Sequence, residues 1–193
     1  MKDYDDISIE LSNYIANITI HRPPNNFFDS YLIQQIADAY EELDNVDECR
    51  VILLCSEGKN FCAGANFAKL GFHQGFGSSV TLPRVVGIQH SADMLYTARR
   101  VKGEEALKMG LIDKITSKET LLEESIKFAM EIASSAPMAI ESIRSTLKGD
   151  LADQVEKVVD WELSEQIRLQ KTEDFKEGIA SSLERRQPNF SRK

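Results

Sequence analysis

The segment VILLCSEGKNFCAGANF, Val51 to Phe67, decides the fold because an unbroken apolar run passes directly into a turn of small residues. The run from Val51 to Cys55 predicts a buried strand, and its lack of polar alternation favours a parallel sheet. The turn from Phe61 to Phe67 contains alanine and glycine, which let the backbone approach a ligand closely. Backbone N–H groups there, ahead of a helix start, are suited to stabilise an oxyanion. A plain tight turn after a strand is the alternative interpretation.

Upstream of this segment, the sequence predicts a strand pair followed by one helix. Residues Ile7 to Ser12 and Tyr14 to Ile20 alternate apolar and polar side chains, which indicates a hairpin. A helix capped by Asp29 or Ser30 follows, since apolar residues recur there at helical spacing: Leu32, Ile33, Ile36, Tyr40 and Leu43. Strand, helix and strand over this length form a βαβ pattern.

Downstream, the chain is predicted to be helical after Gly87, apart from a candidate strand at Leu111 to Ile115. The predicted helices are Ile88–Ala98, Gly103–Met109, Glu119–Ser134, Pro137–Lys148, Leu151–Leu169 and Glu173–Arg186. Only three or four strands precede or adjoin Cys55. Helices that cover a parallel sheet need several strands beneath them, so the chain has fewer predicted strands than its helices require.

Composition restricts the class of protein. The 193 residues carry 23 basic and 31 acidic side chains, a net charge of −8, which disfavours nucleic acid as a partner. Three cysteines, Cys49, Cys55 and Cys62, have no paired spacing, so neither a disulfide framework nor a zinc site is expected. Apolar runs fall short of the ~18 residues that span a membrane, and no apolar leader is evident. A cytoplasmic location without membrane attachment is the expectation.

Other chemical candidates are weaker than the turn at 61–67. The segment GFHQGFG, Gly71 to Gly77, lacks the Gly-Lys-Ser/Thr ending of a phosphate loop. His73 lies nearest to both segments of interest, although a lone histidine is usually structural. Ser78 and Ser79 have no evident His and Asp partners for nucleophilic catalysis.

Five segments in order make the chain resemble the enoyl-CoA hydratase/isomerase family, the crotonases. They are HRPPNNFFD, GKNFCAGANF, LGFHQGFGSSVTLPRVVG, TARRVKGEEALKMGLIDKI and EDFKEGIASSLERRQPNF. The first is similar to the family's Asn/His-Arg-Pro…Asn segment near the CoA, and the second to its first oxyanion-hole segment. The third is similar to the loop and helix after a Pro-Glu strand. The last two match the family's Gly-Leu-Val-Asp and Glu-x-Arg-x-Pro-x-Phe segments.

This resemblance implies an α/β fold, with a crotonase-like ββα spiral core that is incomplete here and C-terminal helices that form a trimer. Residues 1–87 are expected to hold the core and acyl-CoA site, with a gap near 68–71, and residues 88–193 the helical region. A homotrimer or dimer of trimers is implied, and fatty acid metabolism is the implied setting. No cofactor and no metal are implied, because coenzyme A belongs to the substrate.

The resemblance also assigns site residues. The backbone N–H of Ala65 matches the first oxyanion-hole donor, which is the catalytic assignment. Matches to the surrounding CoA and acyl contacts are Ala63, Asn66, Phe67 and Ala68. Asn66 stands where many members have Asp, and it can still cap a helix. Arg22 and Lys59 are candidates for CoA phosphate contacts, with a solvated surface charge as the alternative for each.

Compared with the family, roughly 65 residues are missing after Leu70, in keeping with the shortage of sheet. In the family, that segment carries the second oxyanion N–H and the two glutamates that hydratases use. Hydration needs a carboxylate to activate water and an acid to protonate the α-carbon.

Three interpretations therefore remain open. The first is an enoyl-CoA hydratase or isomerase whose parent protein contains the missing segment. The second is a catalytically dead binding or assembly module. The third is a small cytoplasmic α/β domain of unknown role.

Overall fold

The computed structural model describes residues 2–62 and 70–193. Its strands are β1 (Ile7–Ser12), β2 (Ile15–Ile20) and β3 (Val51–Ser56). Its helices are α1 (Ser30–Leu43), α2 (Ser78–Thr97), α3 (Gly103–Lys108), α4 (Leu121–Ala133), α5 (Pro137–Lys148), α6 (Leu151–Leu169) and α7 (Glu173–Leu183). The chain divides into two compact units. Unit 1 comprises Met1–Gly64 and Thr116–Leu147, and unit 2 comprises Ala65–Ile115 and Lys148–Lys193.

The predicted hairpin is confirmed in unit 1. Strands β1 and β2 pair antiparallel, with Ser12 opposite Ile15, so the connection has two residues. Both of them, Asn13 and Tyr14, have positive φ angles of 51° and 66°, the geometry that suits the twist of a two-residue hairpin. The guanidinium of Arg50 stacks on the Tyr14 ring with its carbon 3.8 Å from the ring centroid, which gives the exposed tyrosine a partner at this turn.

The predicted βαβ unit is also confirmed. Strand β3 runs parallel to β2, with Ile15 opposite Val51 and Ile20 opposite Ser56. Every residue of β3 is half-buried rather than buried as predicted. Within the described residues β3 is hydrogen-bonded to β2 alone, so one of its edges has no neighbouring strand to cover it.

Helices cover the sheet of unit 1 on both faces. The main core joins β2 to α1, and its fully buried members are Ala16, Ile18, Ile20, Leu32 and Ala39. A smaller cluster on the other face packs Ile15 against Ala129 and Ala133 of α4. Arg50 donates from Nη1 to the carbonyl oxygen of Ala133 at 3.0 Å, which satisfies a free carbonyl at the end of α4.

Unit 2 is helical, and α2 departs from its predicted start. Helical structure begins at Ser78, ten residues earlier than predicted, and a non-helical Gly87 with φ 78° and ψ 161° divides α2 into two parts. Because glycine tolerates positive φ, the kink falls at this residue. The remaining predicted helices are confirmed to within a few residues at each end.

The predicted strand at Leu111 to Ile115 is wrong. The segment begins by closing helix α3: the N–H of Leu111 donates to Ala106 O at 2.8 Å and that of Gly110 to Leu107 O at 3.2 Å. Gly110 has a φ of 75°. This is a Schellman C-cap, which turns the chain and uses the backbone donors that a strand would offer to a neighbour.

Among the described residues, no helix is long and apolar enough to cross a membrane.

Candidate functional site

The side chain of Asn26 joins two loops of unit 1 from a fully buried position. Its Nδ2 donates to the carbonyl oxygens of Glu57 at 2.9 Å and Asn60 at 2.6 Å. Its Oδ1 accepts the backbone N–H of Arg22 at 3.1 Å. These bonds connect the loop after β2 to the loop after β3, which leads into the glycine- and alanine-containing turn.

The bonding between the two loops is reciprocal. The Nδ2 of Asn60 donates across to Pro24 O at 3.1 Å. Within the loop after β3, the hydroxyl of Ser56 donates to Asn60 O at 3.2 Å. Gly58 has a φ of 88°, and a Cβ there would lie 3.5 Å from the Cβ of Pro23, so the loops are in close contact. We call residues 22–26 and 57–60, with these bonds, the Asn26 clip.

The predicted site residue Arg22 lies at the start of the clip and is already hydrogen-bonded. Its Nη2 donates to Asp29 Oδ2 at 2.7 Å, and its Nη1 donates to Phe27 O at 3.1 Å. Asp29 also caps α1 by accepting the N–H of Leu32 at 2.9 Å. The hydrogen bond from Arg22, with that of the helix N–H, lowers the pKa of Asp29 to about 2. A guanidinium carries five N–H groups, so Arg22 retains donors for a ligand.

The clip brings together the loops that carry the two predicted CoA phosphate contacts, Arg22 and Lys59. Lys59 is exposed and lies one residue from the Asn60 carbonyl that Asn26 holds. The other predicted site residues lie outside the described residues: Ala63, Ala65, Asn66, Phe67 and Ala68.

In unit 2, a buried carboxylate organises the loop that precedes α2. Glu162 of α6 is 1% exposed. It accepts the N–H of Gly77 at 2.8 Å, the N–H of Ser79 at 3.0 Å and the Ser79 hydroxyl at 2.6 Å. A carboxylate at the start of α2 satisfies free N–H groups and interacts favourably with the helix dipole. Ser79 therefore has a structural partner here.

The same loop holds His73, whose ring Nδ1 lies 2.8 Å from Gln74 O. The carbonyls of His73 and Gln74 both accept from Gln166 Nε2, at 3.1 and 3.2 Å. Two side chains of α6, Glu162 and Gln166, thus hold the loop from 73 to 79. These contacts give His73 a structural role.

Helix α7 and the segment after it form a further hydrogen-bonded group in unit 2. Glu177 accepts from both Nη atoms of Arg186, at 2.5 and 2.8 Å, and from the N–H of Asn189 at 2.7 Å. Asp174 accepts the N–H of Arg192 at 2.9 Å. These bonds account for the spacing of the C-terminal motif, in which Asp174, Glu177 and Arg186 fix the last residues along α7.

Unit 2 also contains an open cavity of about 500 Å³ beside α7. Its lining combines aromatic, cationic and polar residues: Gly71, Phe72, Arg168, Leu169, Thr172, Asp174, Phe190, Arg192 and Lys193. Arg168 is already paired with Glu165 at 2.6 Å, and Asp174 adds a negative charge to a lining that also carries Arg192 and Lys193.

Comparison with known proteins identifies the fold and then the family. An enoyl-CoA hydratase/isomerase of Pseudoalteromonas atlantica T6c superposes with a TM-score of 0.85 at 22% identity, covering 97% of this chain and 100% of the other. The fold is therefore the crotonase fold. The family model for enoyl-CoA hydratase/isomerase matches residues 10–69 and 64–193. The chain belongs to the enoyl-CoA hydratase/isomerase family.

Two relatives show how this chain differs in length. A crotonyl-CoA hydratase of Syntrophomonas wolfei is 30% identical over 143 residues, 72% of this chain and 55% of that protein, so the chain spans about half of that hydratase. A probable enoyl-CoA hydratase of Bacillus subtilis aligns at 22% identity over 252 residues, 95% of this chain and 98% of that protein. The alignment spans 252 positions, whereas this chain has 193 residues. At least 59 positions of the alignment (252 − 193) therefore have no counterpart in this chain.

The sequence alone did not reveal Asn26, Asn60 or Glu162 as organising residues. Asn26 belongs to the HRPPNNFFD segment, but a buried and an exposed asparagine look the same in a sequence. Glu162 lies on a helix rich in charged residues, where one buried carboxylate has no distinguishing pattern. The available signal was the motif asparagine after Pro23 and Pro24, since a loop asparagine often bonds to nearby backbone.

Proposed function

We propose that the full protein hydrates or isomerises an enoyl-CoA thioester, and that the present chain contributes much of the acyl-CoA site. In this proposal the backbone N–H of Ala65 donates to the thioester oxygen as negative charge develops there. Arg22 and Lys59 contact CoA phosphates. The surrounding contacts to CoA and the acyl chain are made by Ala63, Asn66, Phe67 and Ala68.

The observation that carries this proposal is the family match on both sides of residues 64–69. Matching segments before and after this point favour a parent protein that contains the intervening segment. That segment would supply the second oxyanion donor and the two glutamates. One oxyanion donor contributes about 3 kcal/mol to the transition state, so both matter for turnover.

The test is hydration of crotonyl-CoA by the full protein, followed by the loss of enoyl absorbance. Ala65→Pro removes the proposed N–H donor, whereas Ala65→Gly keeps it and serves as the matched control. We expect the proline variant to lose about 100-fold or more in rate, and the glycine variant to keep most of it. Equal rates for wild type and Ala65→Pro would show that the oxyanion donor lies elsewhere.

A second function is favoured by the length of the chain itself. A protein of these 193 residues lacks the positions that carry the two glutamates in the family, and would act as a catalytically dead binding or assembly module. Intact-mass spectrometry distinguishes the two. A mass of 21.8 kDa supports the module, and a mass higher by about 7 kDa, roughly 65 average residues, supports the enzyme.

Assembly into a homotrimer or a dimer of trimers is part of this proposal. Helix α6 supports it by exposing large apolar side chains: Trp161 is 61% exposed and Leu163 is 52% exposed. Such side chains are frequent in contacts between subunits. Sedimentation equilibrium on wild type and Trp161→Ser is the test, with a monomeric wild type as the contradicting result.

A further inference from the structure

We infer that Ser8, His21 and Glu57 form a second catalytic site, in which Ser8 is the nucleophile that accepts an acyl group from an ester. The Oγ of Ser8 lies 2.7 Å from Nε2 of His21, and Nδ1 of His21 lies 3.1 Å from Oε2 of Glu57. A nucleophile within hydrogen-bonding distance of a base, with a third group that orients the base, is the arrangement of a catalytic triad. None of the three residues is assigned to the acyl-CoA site, so this inference goes beyond the proposed function.

The chemistry of Glu57 decides which ring nitrogen of His21 carries the proton. An ionised carboxylate only accepts hydrogen bonds, so Nδ1 of His21 is the donor toward Glu57. In a neutral imidazole the other nitrogen, Nε2, then has a free lone pair and accepts from the Ser8 hydroxyl. This is the tautomer in which His21 takes the Ser8 proton as a general base. Ser8 and His21 are therefore the catalytic residues, and Glu57 is a positioning residue.

Backbone hydrogen bonds hold the three residues at one end of the sheet of unit 1. The His21 N–H donates to Asp6 O at 2.8 Å. The Glu57 N–H donates to Ile20 O at 2.8 Å. Both residues thus extend the strand pairing by one position, and Ser8 lies inside β1, paired with β2. Because side chains carried by strands are positioned more precisely than those carried by loops, the triad is arranged before a substrate binds.

The face of the sheet that carries the triad is open at this end. Ser8, His21 and Glu57 are all exposed, whereas α4 covers the same face farther along β2, at Ile15. Glu10, which shares this face of β1 with Ser8, adds a negative charge to that of Glu57. An uncharged or cationic ester is therefore a better substrate for this site than a polyanionic CoA thioester.

The residue after the nucleophile supplies a donor for the oxyanion. The bonded pairs of the antiparallel β1–β2 ladder include Asp6 with His21, so the alternate residues of β1, Ile9 among them, direct their N–H groups away from β2. Across residues 2–62 and 70–193, β2 is the one strand that pairs with β1. The Ile9 N–H is therefore available to the negative oxygen that forms at the acyl carbon next to Ser8.

The reaction proceeds in two balanced steps. The Oγ of Ser8 attacks the carbonyl carbon of the ester, and its proton passes to Nε2 of His21. The bond from that carbon to the leaving oxygen breaks, and the leaving alcohol takes the proton from His21. Water then attacks the acyl-Ser8 ester and gives a proton to His21, which returns it to Ser8 Oγ as the carboxylic acid leaves.

The first test uses p-nitrophenyl acetate with the 193-residue chain, and it follows p-nitrophenolate release and the acetylated peptide by mass spectrometry. Acetyl is expected on Ser8. Both Ser8→Ala and His21→Ala should lower the rate above buffer about 100-fold or more, because each removes half of the nucleophile and base pair. Ser12→Ala, an exposed serine on the same face of β1, is the matched control and should keep the wild-type rate. Acetyl found only on lysine or histidine side chains would overturn the inference.

The second test addresses Glu57 through the tautomer of His21, which the ring ¹⁵N resonances report. The wild type should carry the proton on Nδ1. In Glu57→Gln an amide NH2 can face Nδ1, so the proton is expected to move to Nε2 and acetylation of Ser8 to slow about 100-fold. Glu41→Gln, at an exposed position on α1, should change neither. A proton on Nε2 in the wild type would overturn the inference, because His21 could not then accept from Ser8.

The third test needs no variant. Diisopropyl fluorophosphate reacts with an activated serine: Ser8 Oγ bonds to phosphorus, fluoride leaves, and His21 takes the hydroxyl proton. We expect the label on Ser8 and, in the labelled protein, the same loss of p-nitrophenyl acetate turnover as in Ser8→Ala. An unlabelled Ser8, or full turnover by protein labelled there, would show that Ser8 is not an activated nucleophile.

Discussion

At the scale of single residues, buried and partly exposed carboxylates bind backbone N–H groups at the starts of helices. Asp29 accepts from Arg22 and from the N–H of Leu32, so it serves as ion-pair partner and helix cap together. Glu162 accepts two backbone N–H groups and a hydroxyl. Charge-assisted bonds of this kind are stronger than neutral ones, and they fix loops as well as helix ends.

Asp29 gives a prediction for pH dependence. Its pKa is lowered from 3.8 to about 2 by the hydrogen bonds from Arg22 and the α1 backbone, so folding favours the ionised form. The resulting stability is present above about pH 4 and is lost as pH falls toward 2. In Asp29→Asn, which keeps the cap, this dependence should disappear.

The direct measurement is the titration of the Asp29 carboxyl carbon by NMR, with a midpoint below 3 expected. Both Arg22 and Asp29 are partly exposed, so high salt should move the Asp29 midpoint upward. A midpoint for Asp29 at the ordinary value of 3.8 would show that the ion pair does not persist in solution.

Glu162 gives a prediction for stability. In Glu162→Gln, one carboxylate oxygen becomes an NH2 group that faces a backbone N–H, so one buried donor loses its acceptor. The free energy of unfolding should fall by about 2 kcal/mol. Urea unfolding measures it, with the exposed Glu156→Gln on the same helix as control. Equal midpoints for both variants would argue against a structural role for the Glu162 carboxylate.

The residue scale also shows where prediction from sequence fails. Asp29 was predictable as a cap because it precedes a periodic apolar run, which is a local pattern. The bonds of Asn26 join residues 31 and 34 positions apart, and no local pattern encodes such a partner. The matches at Ala63, Ala65 and Asn66 stay predictions, since they come from the family motif and lie outside the described residues.

At the scale of elements, the close contact between helix α7 and the backbone of Leu70 explains why the C-terminal motif has a glycine at Gly178. A Cβ on Gly178 of α7 would lie 2.4 Å from the carbonyl carbon and oxygen of Leu70. A Cβ on Gly71 would lie 2.8 Å from Asp174 O. Helix α7 therefore packs directly on the backbone at 70–71, at the point where the family's additional segment is absent.

Gly178→Ala should destabilise the protein even though alanine favours helix formation. The gain in helix propensity is about 1 kcal/mol, but the new methyl group meets backbone that cannot rotate away, which costs more. We expect a net loss of about 1–3 kcal/mol in the free energy of unfolding. The exposed Ser182→Ala, in the same helix, should be neutral or slightly stabilising. A stabilised Gly178→Ala protein would mean that α7 does not pack this closely.

Element prediction succeeded where one periodicity covers the whole element, as for α1 and the β1–β2 hairpin. It failed at Leu111 to Ile115 because a C-cap uses apolar residues in the same way as a short strand. The predicted start of α2 was also too late. The helix begins at Ser78 because Glu162, which is distant in sequence, accepts the N–H groups of Gly77 and Ser79.

At the scale of the whole molecule, neither unit is a continuous stretch of chain. Unit 1 combines Met1–Gly64 with Thr116–Leu147, and unit 2 combines Ala65–Ile115 with Lys148–Lys193. Family membership was predictable because five motifs occur in the family's order. The division into units was not, because α4 covers the β2–β3 face from residues far along the chain.

Fragments of the chain should unfold cooperatively only when they contain both the sheet of unit 1 and helix α4. Residues 1–87 alone lack α4, so the face that carries Ile15, Val51 and Leu53 stays exposed, and we expect no cooperative unfolding. Residues 1–64 joined to 116–147 by a Gly-Ser linker restore α4 and should unfold cooperatively on heating. Circular dichroism measures both. A cooperative 1–87 fragment would show that α4 is dispensable for the sheet.

The covering of the sheet by α4 has a consequence for synthesis on the ribosome. Strand β3 is complete at Ser56, and α4 begins at Leu121, about 65 residues later, or roughly 3–13 s of elongation at common rates. During that interval the nascent sheet has one apolar face uncovered. A parent chain with a further 65 residues between them would about double the wait. An apolar sheet face that stays uncovered for this long is open to contact with other nascent or unfolded chains.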